Sequence, residues 1–233
     1  MANISGDVTD SKSPTSEELE LASKLSESAL RWFYQNGRVF PWRNTRDPYR
    51  ILVAEVCLQK TNADKVALVF EKIIERYPGI VALAEASPEN LSEYFAQLGL
   101  FKRGGFLVHI ARTITREYGG IIPRDRESLV LVKGIGDYTA NSVLCLAYGD
   151  RLPLLDRSTQ RVLARVYNKR IEKLAWADKK MRRFMQAILP NDGAREYSLA
   201  LIDIAAKFCR PTKPQCEQCP LASLCLNAIM KGG

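Results

Sequence analysis

The sequence predicts an all-α protein, and three observations predict it. Apolar residues recur at the helical period nearly everywhere, and few segments sustain the alternation of a strand. Helix-opening residues (Thr15 with Glu18, Asp47-Pro48, Ser87-Pro88-Glu89) precede one apolar run after another. Gly and Pro stand where those runs stop, as at Pro78-Gly79 and Gly119-Gly120, and no repeat of solenoid length is present.

Residues 1–14 are polar and rich in Ser and Asp, and are expected to be disordered. Thr15 and Glu18 form a capping box opening a helix to about residue 33, with Leu19, Leu25 and Ala29 expected inside. An irregular aromatic segment follows at 38–43. Asp47 then caps a helix whose first turn tolerates Pro48, running to about residue 59. Further helices are expected over 64–77, 87–99, 103–118, 125–132, 137–148, 156–168, 178–189 and 194–208.

A length of 233 residues suffices for one large or two small domains. Lys and Arg number 34 against 26 acidic residues, a net charge of +8 that suits a phosphate-bearing partner. Apolar runs are too short to span a bilayer, so no membrane role is expected. The N-terminus is polar and acidic, without the pattern of a targeting peptide, so cytosol or nucleoid is the expected location.

Cys209, Cys216, Cys219 and Cys225 lie within seventeen positions of a Pro-interrupted stretch. Four soft ligands so close together can converge on one centre, and ligand chemistry leaves both zinc and an iron–sulfur cluster open. Far upstream, Gly134-Ile135-Gly136 forms a short turn between two helices. Its glycines permit backbone geometry that a Cβ would obstruct, and Ile135 anchors the turn in the core. Backbone N–H groups opening the next helix can face a phosphate there, directly or through a bound monovalent cation.

The C-x6-C-x2-C-x5-C spacing resembles the C-terminal [4Fe-4S] loop of the endonuclease III and MutY family of DNA glycosylases, and the hairpin resembles the helix-hairpin-helix of the same superfamily. The resemblance covers about residues 30–228. It implies two helical domains: 40–155, carrying the hairpin at 126–148, and 15–39 with 156–233, carrying the cluster, with the active site in the cleft between them. It also implies double-stranded DNA holding a mismatch or lesion as partner, and a monomer. Lys133 stands where the family usually has Pro, and Asp137 where a basic or neutral residue is common. An acid there should weaken a phosphate contact slightly, which Lys133 would offset.

Asp156, directly before a helical run, reads as an N-cap. By resemblance it matches the aspartate facing the sugar of the flipped nucleotide, where a carboxylate stabilises the positive charge that builds as the N-glycosidic bond breaks. Glu55 interrupts a stretch apolar around much of its circumference, which favours a buried functional acid over a solvated one. It matches the glutamate beside the flipped base, where burial would raise its pKa and let it protonate the leaving base. Tyr138 stands where bifunctional relatives carry the lysine that forms a Schiff base. A tyrosine cannot form an imine, so the implied activity is monofunctional.

Within the family, Tyr138 and Glu55 occur together in MutY-type adenine glycosylases and in MIG-type thymine/uracil mismatch glycosylases. Leu199 lies where adenine enzymes commonly place Gln, and Ala63 where they place Val; MutY proteins usually also continue beyond the cluster. These differences imply thymine or uracil opposite guanine, with a MutY-like adenine glycosylase, an AP-lyase and a non-catalytic DNA-binding protein as alternatives. Flipping a base leaves a gap in the stack. Gln59 matches the side chain that fills it, with Lys60 beside it for the orphan base or backbone, and Leu100 matches the wedge from the opposite strand. Lys207, Arg210 and Lys213 are placed to meet phosphates, Cys57 and Cys145 to be core thiols, and His109 to be structural or solvent-facing.

Overall fold

In a computed structural model, residues 13–232 are described, and none of them forms a strand. The expected disordered tail therefore lies, but for Ser13 and Pro14, outside the described residues. The α-helices are α1 (Ser16–Asn36), α2 (Pro48–Leu58), α3 (Ala63–Arg76), α4 (Ile80–Ala84), α5 (Pro88–Ala96), α6 (Arg103–Tyr118), α7 (Arg126–Leu131), α8 (Asp137–Val143), α9 (Arg157–Val166), α10 (Lys179–Ile188), α11 (Ala194–Lys207) and α12 (Leu226–Gly232).

Helix α1 opens on the expected capping box: the Glu18 N–H donates to Thr15 Oγ1 and the Thr15 N–H donates to Glu18 Oε2. Leu19, expected inside, is 46% exposed. The buried stripe runs through Ala22, Leu25 and Ala29, and Glu18 extends it by meeting Lys169 Nζ at 2.6 Å. Leu19 lies one residue, about 100°, round the helix from that stripe. Helices α4 and α12 were not expected. At α4, the Pro78-Gly79 pair ends α3's segment and Gly79 also opens the next helix. The helix expected over 137–148 changes character at Leu144, where Leu144–Tyr148 adopts a wider π turn closed by Gly149 at φ +81°.

The chain divides into two compact units, Arg38–Leu154 and the remainder, with Met1–Gly37 joined to Leu155–Gly233. In Arg38–Leu154, α2 is buried without a break from Ile51 to Cys57, and α3, α6 and α8 pack against it. Phe40 stacks on Trp42 at 4.9 Å, and Trp42 meets Phe70 edge-on. Helices α5 and α6 approach closely because Gly104 has no side chain: a Cβ there would stand 2.4 Å from the Ser92 nitrogen. The other unit is built on α1 against α11 and α9 against α11, around Leu25, Leu163, Met185, Tyr197, Leu201 and Ile204.

Gly104→Ala forces the α5 and α6 backbones apart. We expect a loss of about 1–3 kcal/mol, the usual cost of overpacking, seen as a lower urea midpoint with unchanged slope.

Candidate functional site

Asp156 is the N-cap of α9. Its Oδ1 accepts from the Ser158 N–H at 2.9 Å, the Thr159 N–H at 2.7 Å and Thr159 Oγ1 at 3.0 Å, while the Asp156 N–H donates to Thr159 Oγ1 at 2.9 Å. Thr159 is fully buried, so the carboxylate is clamped through one oxygen and Oδ2 has no hydrogen bond among the described residues. The start of α9 adds the positive end of a helix dipole. This is a half-buried carboxylate held in one orientation with an oxygen to spare.

On the same helix, two arginines that the sequence reading did not single out hold the cysteine loop. Arg161 Nε donates to the Cys209 carbonyl at 2.7 Å. Arg165 Nη1 donates to the Arg210 carbonyl at 2.8 Å and lies 3.3 Å from Cys209 Sγ, and its Nη2 donates to the Pro211 carbonyl at 3.0 Å. Both point one turn apart along the side of α9, a pair that i, i+4 spacing would have revealed had the partner been known. Cys209, Cys216, Cys219 and Cys225 line one pocket with Arg165, Phe208 and Pro214. Cys209, Cys219 and Cys225 also pack against the core. Burial pushes the Cys219 thiol up to about 11 and the Cys225 thiol upward, so a bound metal centre must displace their protons. Four thiols round one pocket, with a guanidinium N–H at one sulfur, suit an anionic thiolate-held cluster. No three His, Cys, Asp or Glu side chains among the described residues gather as ligands of a single ion. Lys207 lies over the Trp32 and Phe208 rings at 5.8 and 5.3 Å; Arg210 and Lys213 are exposed, Lys213 at φ +49°.

In Arg38–Leu154, Glu55 is buried at 8% exposure in the middle of α2. The solvated alternative for this residue is thereby removed. Gln59 caps the end of α2 half-buried, and its Oε1 accepts from Arg103 Nη1 at 2.7 Å. Lys60 follows, exposed and in the left-handed region at φ +61°. Leu100 is half-buried in the turn before α6, whereas its neighbour Leu98 is buried. Below Arg103 lies Cys57, fully buried, its thiol pushed up to about 12 by burial and so a core thiol without nucleophilic character; Cys145 is equally buried.

Helices α7 and α8 enclose the glycine turn. Ile135 is buried and its N–H donates to the Val132 carbonyl at 2.9 Å. Gly134 needs its lack of a side chain, at φ +109° with a Cβ position 3.1 Å from Ile110; Gly136 caps α8 with nothing near its Cβ position. Lys133 is exposed, and Tyr138 is half-buried as the second residue of α8. Asp137, which reads as an unfavourable acid beside a phosphate, forms an ion pair with Arg126 of α7. Arg126 thus offsets the acid more directly than Lys133. Ala63 begins α3 half-buried, Leu199 is buried within α11, and His109 is exposed.

The chain is similar to known proteins in sequence and in fold. Residues 53–193 match the HhH-GPD superfamily of base excision DNA repair proteins, and residues 209–225 match the iron-sulfur binding domain of endonuclease III. The chain is 39% identical over 207 residues to the thymine-DNA glycosylase of Aeropyrum pernix, covering 87% of this chain and 93% of that protein. It is 32% identical over 197 residues to the thymine/uracil-DNA glycosylase of Methanothermobacter thermautotrophicus, covering 84% and 89%. A solved thermostable thymine-DNA glycosylase superposes with a TM-score of 0.84 at 30% identity, over 91% of this chain and 98% of that one.

The cysteine loop is held from α9 chiefly by guanidinium–carbonyl bonds. Arg165→Met should leave the helical content unchanged but speed iron release to a chelator and lower the thermal midpoint, by an amount corresponding to about 1–3 kcal/mol. Visible absorbance and circular dichroism, followed on one sample, check both.

Proposed function

From its membership of the HhH-GPD superfamily of base excision DNA repair proteins, to which this chain belongs, we propose that the protein is a monofunctional DNA glycosylase that removes thymine or uracil paired with guanine. It acts on double-stranded DNA as a monomer. The observation that carries the reading is the Asp156 carboxylate, locked through one oxygen at the start of α9 with the other left over.

The reaction breaks the bond between deoxyribose C1′ and the base nitrogen. Positive charge develops on the sugar as the bond lengthens, and Asp156 stabilises it at a fixed position, without reorganising at the moment of reaction. Water adds at C1′, losing its proton, and the departing base gains one. Glu55, buried in α2, supplies the hydrogen bond or proton to the base. Thymine and uracil are poor leaving groups as anions, so this second carboxyl has a task distinct from the first. Tyr138 occupies the position from which a lysine would attack C1′, and it offers a phenol instead of an amine. The abasic site is therefore left uncut.

By the resemblance, Leu199 and Ala63 stand at the positions that adenine enzymes fill with Gln and Val, and neither apolar side chain can pair with adenine's edge as an amide would. The start of α8, beyond Gly134, Ile135 and Gly136, receives a phosphate, directly or through a monovalent cation, with Arg126 balancing Asp137 and Lys133 adding positive charge. Cys209, Cys216, Cys219 and Cys225 would hold the iron–sulfur cluster, read here as [4Fe-4S] from their spacing. Bound there, it would supply thiolate–iron bonds that tie the loop together; Arg210 and Lys213 stand on that loop as exposed cations for the DNA backbone.

Single-turnover release from duplexes holding G·T, G·U, A·G and A·8-oxoguanine, with and without hot alkali, tests this reading. We expect alkali-dependent strand cutting at T or U. Cutting at A would instead assign an adenine glycosylase, and a borohydride-trapped covalent adduct would overturn the monofunctional assignment. Asp156→Asn should slow base release by about 10²–10³-fold while duplex affinity stays near that of the wild type. Parallel loss of both would remove Asp156 from the chemistry.

A further inference from the structure

Two segments of Arg38–Leu154 are read above as entering the base stack, the end of α2 at Gln59 and the turn at Leu100, and both lead to Arg103. Arg103 opens α6, and its N–H donates to the Leu100 carbonyl at 2.8 Å. The next residue, Gly104, is seated against the Ser92 backbone, so this end of α6 has little room to move. From that anchor the guanidinium reaches across to α2: Nη1 donates to Gln59 Oε1 at 2.7 Å and lies 3.4 Å from the Val56 carbonyl.

Elementary chemistry decides which side of the Gln59 amide remains available. A guanidinium carries donors only, so the amide atom that faces it must be the oxygen. The amide nitrogen, with its two N–H groups, is left without a hydrogen-bond partner among the described residues. Opposite a flipped pyrimidine, guanine presents O6, an acceptor, where adenine presents the N6 amino group, a donor. A freely turning amide can satisfy adenine with its oxygen and nitrogen together. An amide whose oxygen is held back cannot do so: its two N–H groups can meet both O6 and N7 of guanine, but on adenine only N7, with the N6 amino donor left facing a donor.

We infer that Arg103 is a positioning residue that sets the polarity of the Gln59 amide, so that the side chain filling the stack meets the stranded base with an N–H donor and favours guanine over adenine. The inference rests on the reading of Gln59 as that filling side chain. It makes the choice of opposite base depend on a residue that acts through another side chain.

The test compares single-turnover uracil release from otherwise identical G·U and A·U duplexes by the wild type, Arg103→Met, Arg103→Lys, Gln59→Ala and the Arg103→Met/Gln59→Ala double variant, with thermal midpoints measured alongside. Pair stability is common to all variants, so it cancels from any change in the G·U to A·U rate ratio. Arg103→Met, which keeps volume but loses every donor, should lower that ratio about tenfold. Arg103→Lys, which keeps a donor, should restore part of it. In the Gln59→Ala background, Arg103→Met should change the ratio no further. Equal slowing on both duplexes would reduce Arg103 to a packing role and overturn the inference. So would a ratio that falls independently in the two single variants and multiplies in the double. A ratio unmoved by Gln59→Ala would remove Gln59 from the stack and the inference with it. Failure of the wild type to release uracil from either duplex would overturn the glycosylase reading itself.

Discussion

Seven consecutive buried residues, Ile51 to Cys57, make α2 the helix on which Arg38–Leu154 depends. A helix buried all round has no polar face to turn toward water, so neighbours on every side fix its rotation and its position along its axis. That constraint makes Glu55 consequential. A carboxyl placed on the rim of a cleft would be solvated and mobile; one buried in the middle of α2 is held with its helix. The same rigidity carries to the end of the helix, where Gln59 emerges at a defined point and Arg103 receives it.

The second unit solves a different problem. Its apolar core around α9 and α11 is sound, but the loop from Cys209 to Cys225 contains no α-helix and exposes many of its residues. Backbone groups in such a loop need partners. Arg161 and Arg165 provide them from α9, while Ser28 Oγ donates to the Pro220 carbonyl from α1. The helix that holds Asp156 at its first turn therefore holds the cysteine loop from its later turns. Iron binding then adds covalent ties to a segment that hydrogen bonds have already shaped.

Much of this was legible in the residues alone, for reasons that differ from one position to the next. Asp156 and Thr15 were readable as caps because capping is local chemistry within four residues. Glu55 was readable as buried because its neighbours left no polar stripe. The cysteine spacing and the glycine turn were readable as motifs, being short and contiguous, and the matches over residues 53–193 and 209–225 agree with them. The misreadings share a different cause. Leu19 follows the apolar pattern but loses its place to Glu18, because Lys169, far along the chain, gives that carboxylate a partner. The π turn at Leu144–Tyr148 and the short α4 are outcomes of packing that helical periodicity does not encode.

By itself, then, the sequence determined the helical class, the caps, the four-cysteine centre and the kind of residue available for each chemical task, since all of these follow from side-chain type and near spacing. Only the tertiary structure decided the pairings: Arg126 with Asp137, Arg165 with the cysteine loop, and Arg103 with Gln59. Each joins residues 11 to 46 positions apart. An arginine reads the same in a sequence whether it is solvated or holding a distant amide, because its partner is chosen by how helices pack and not by its neighbours in the chain.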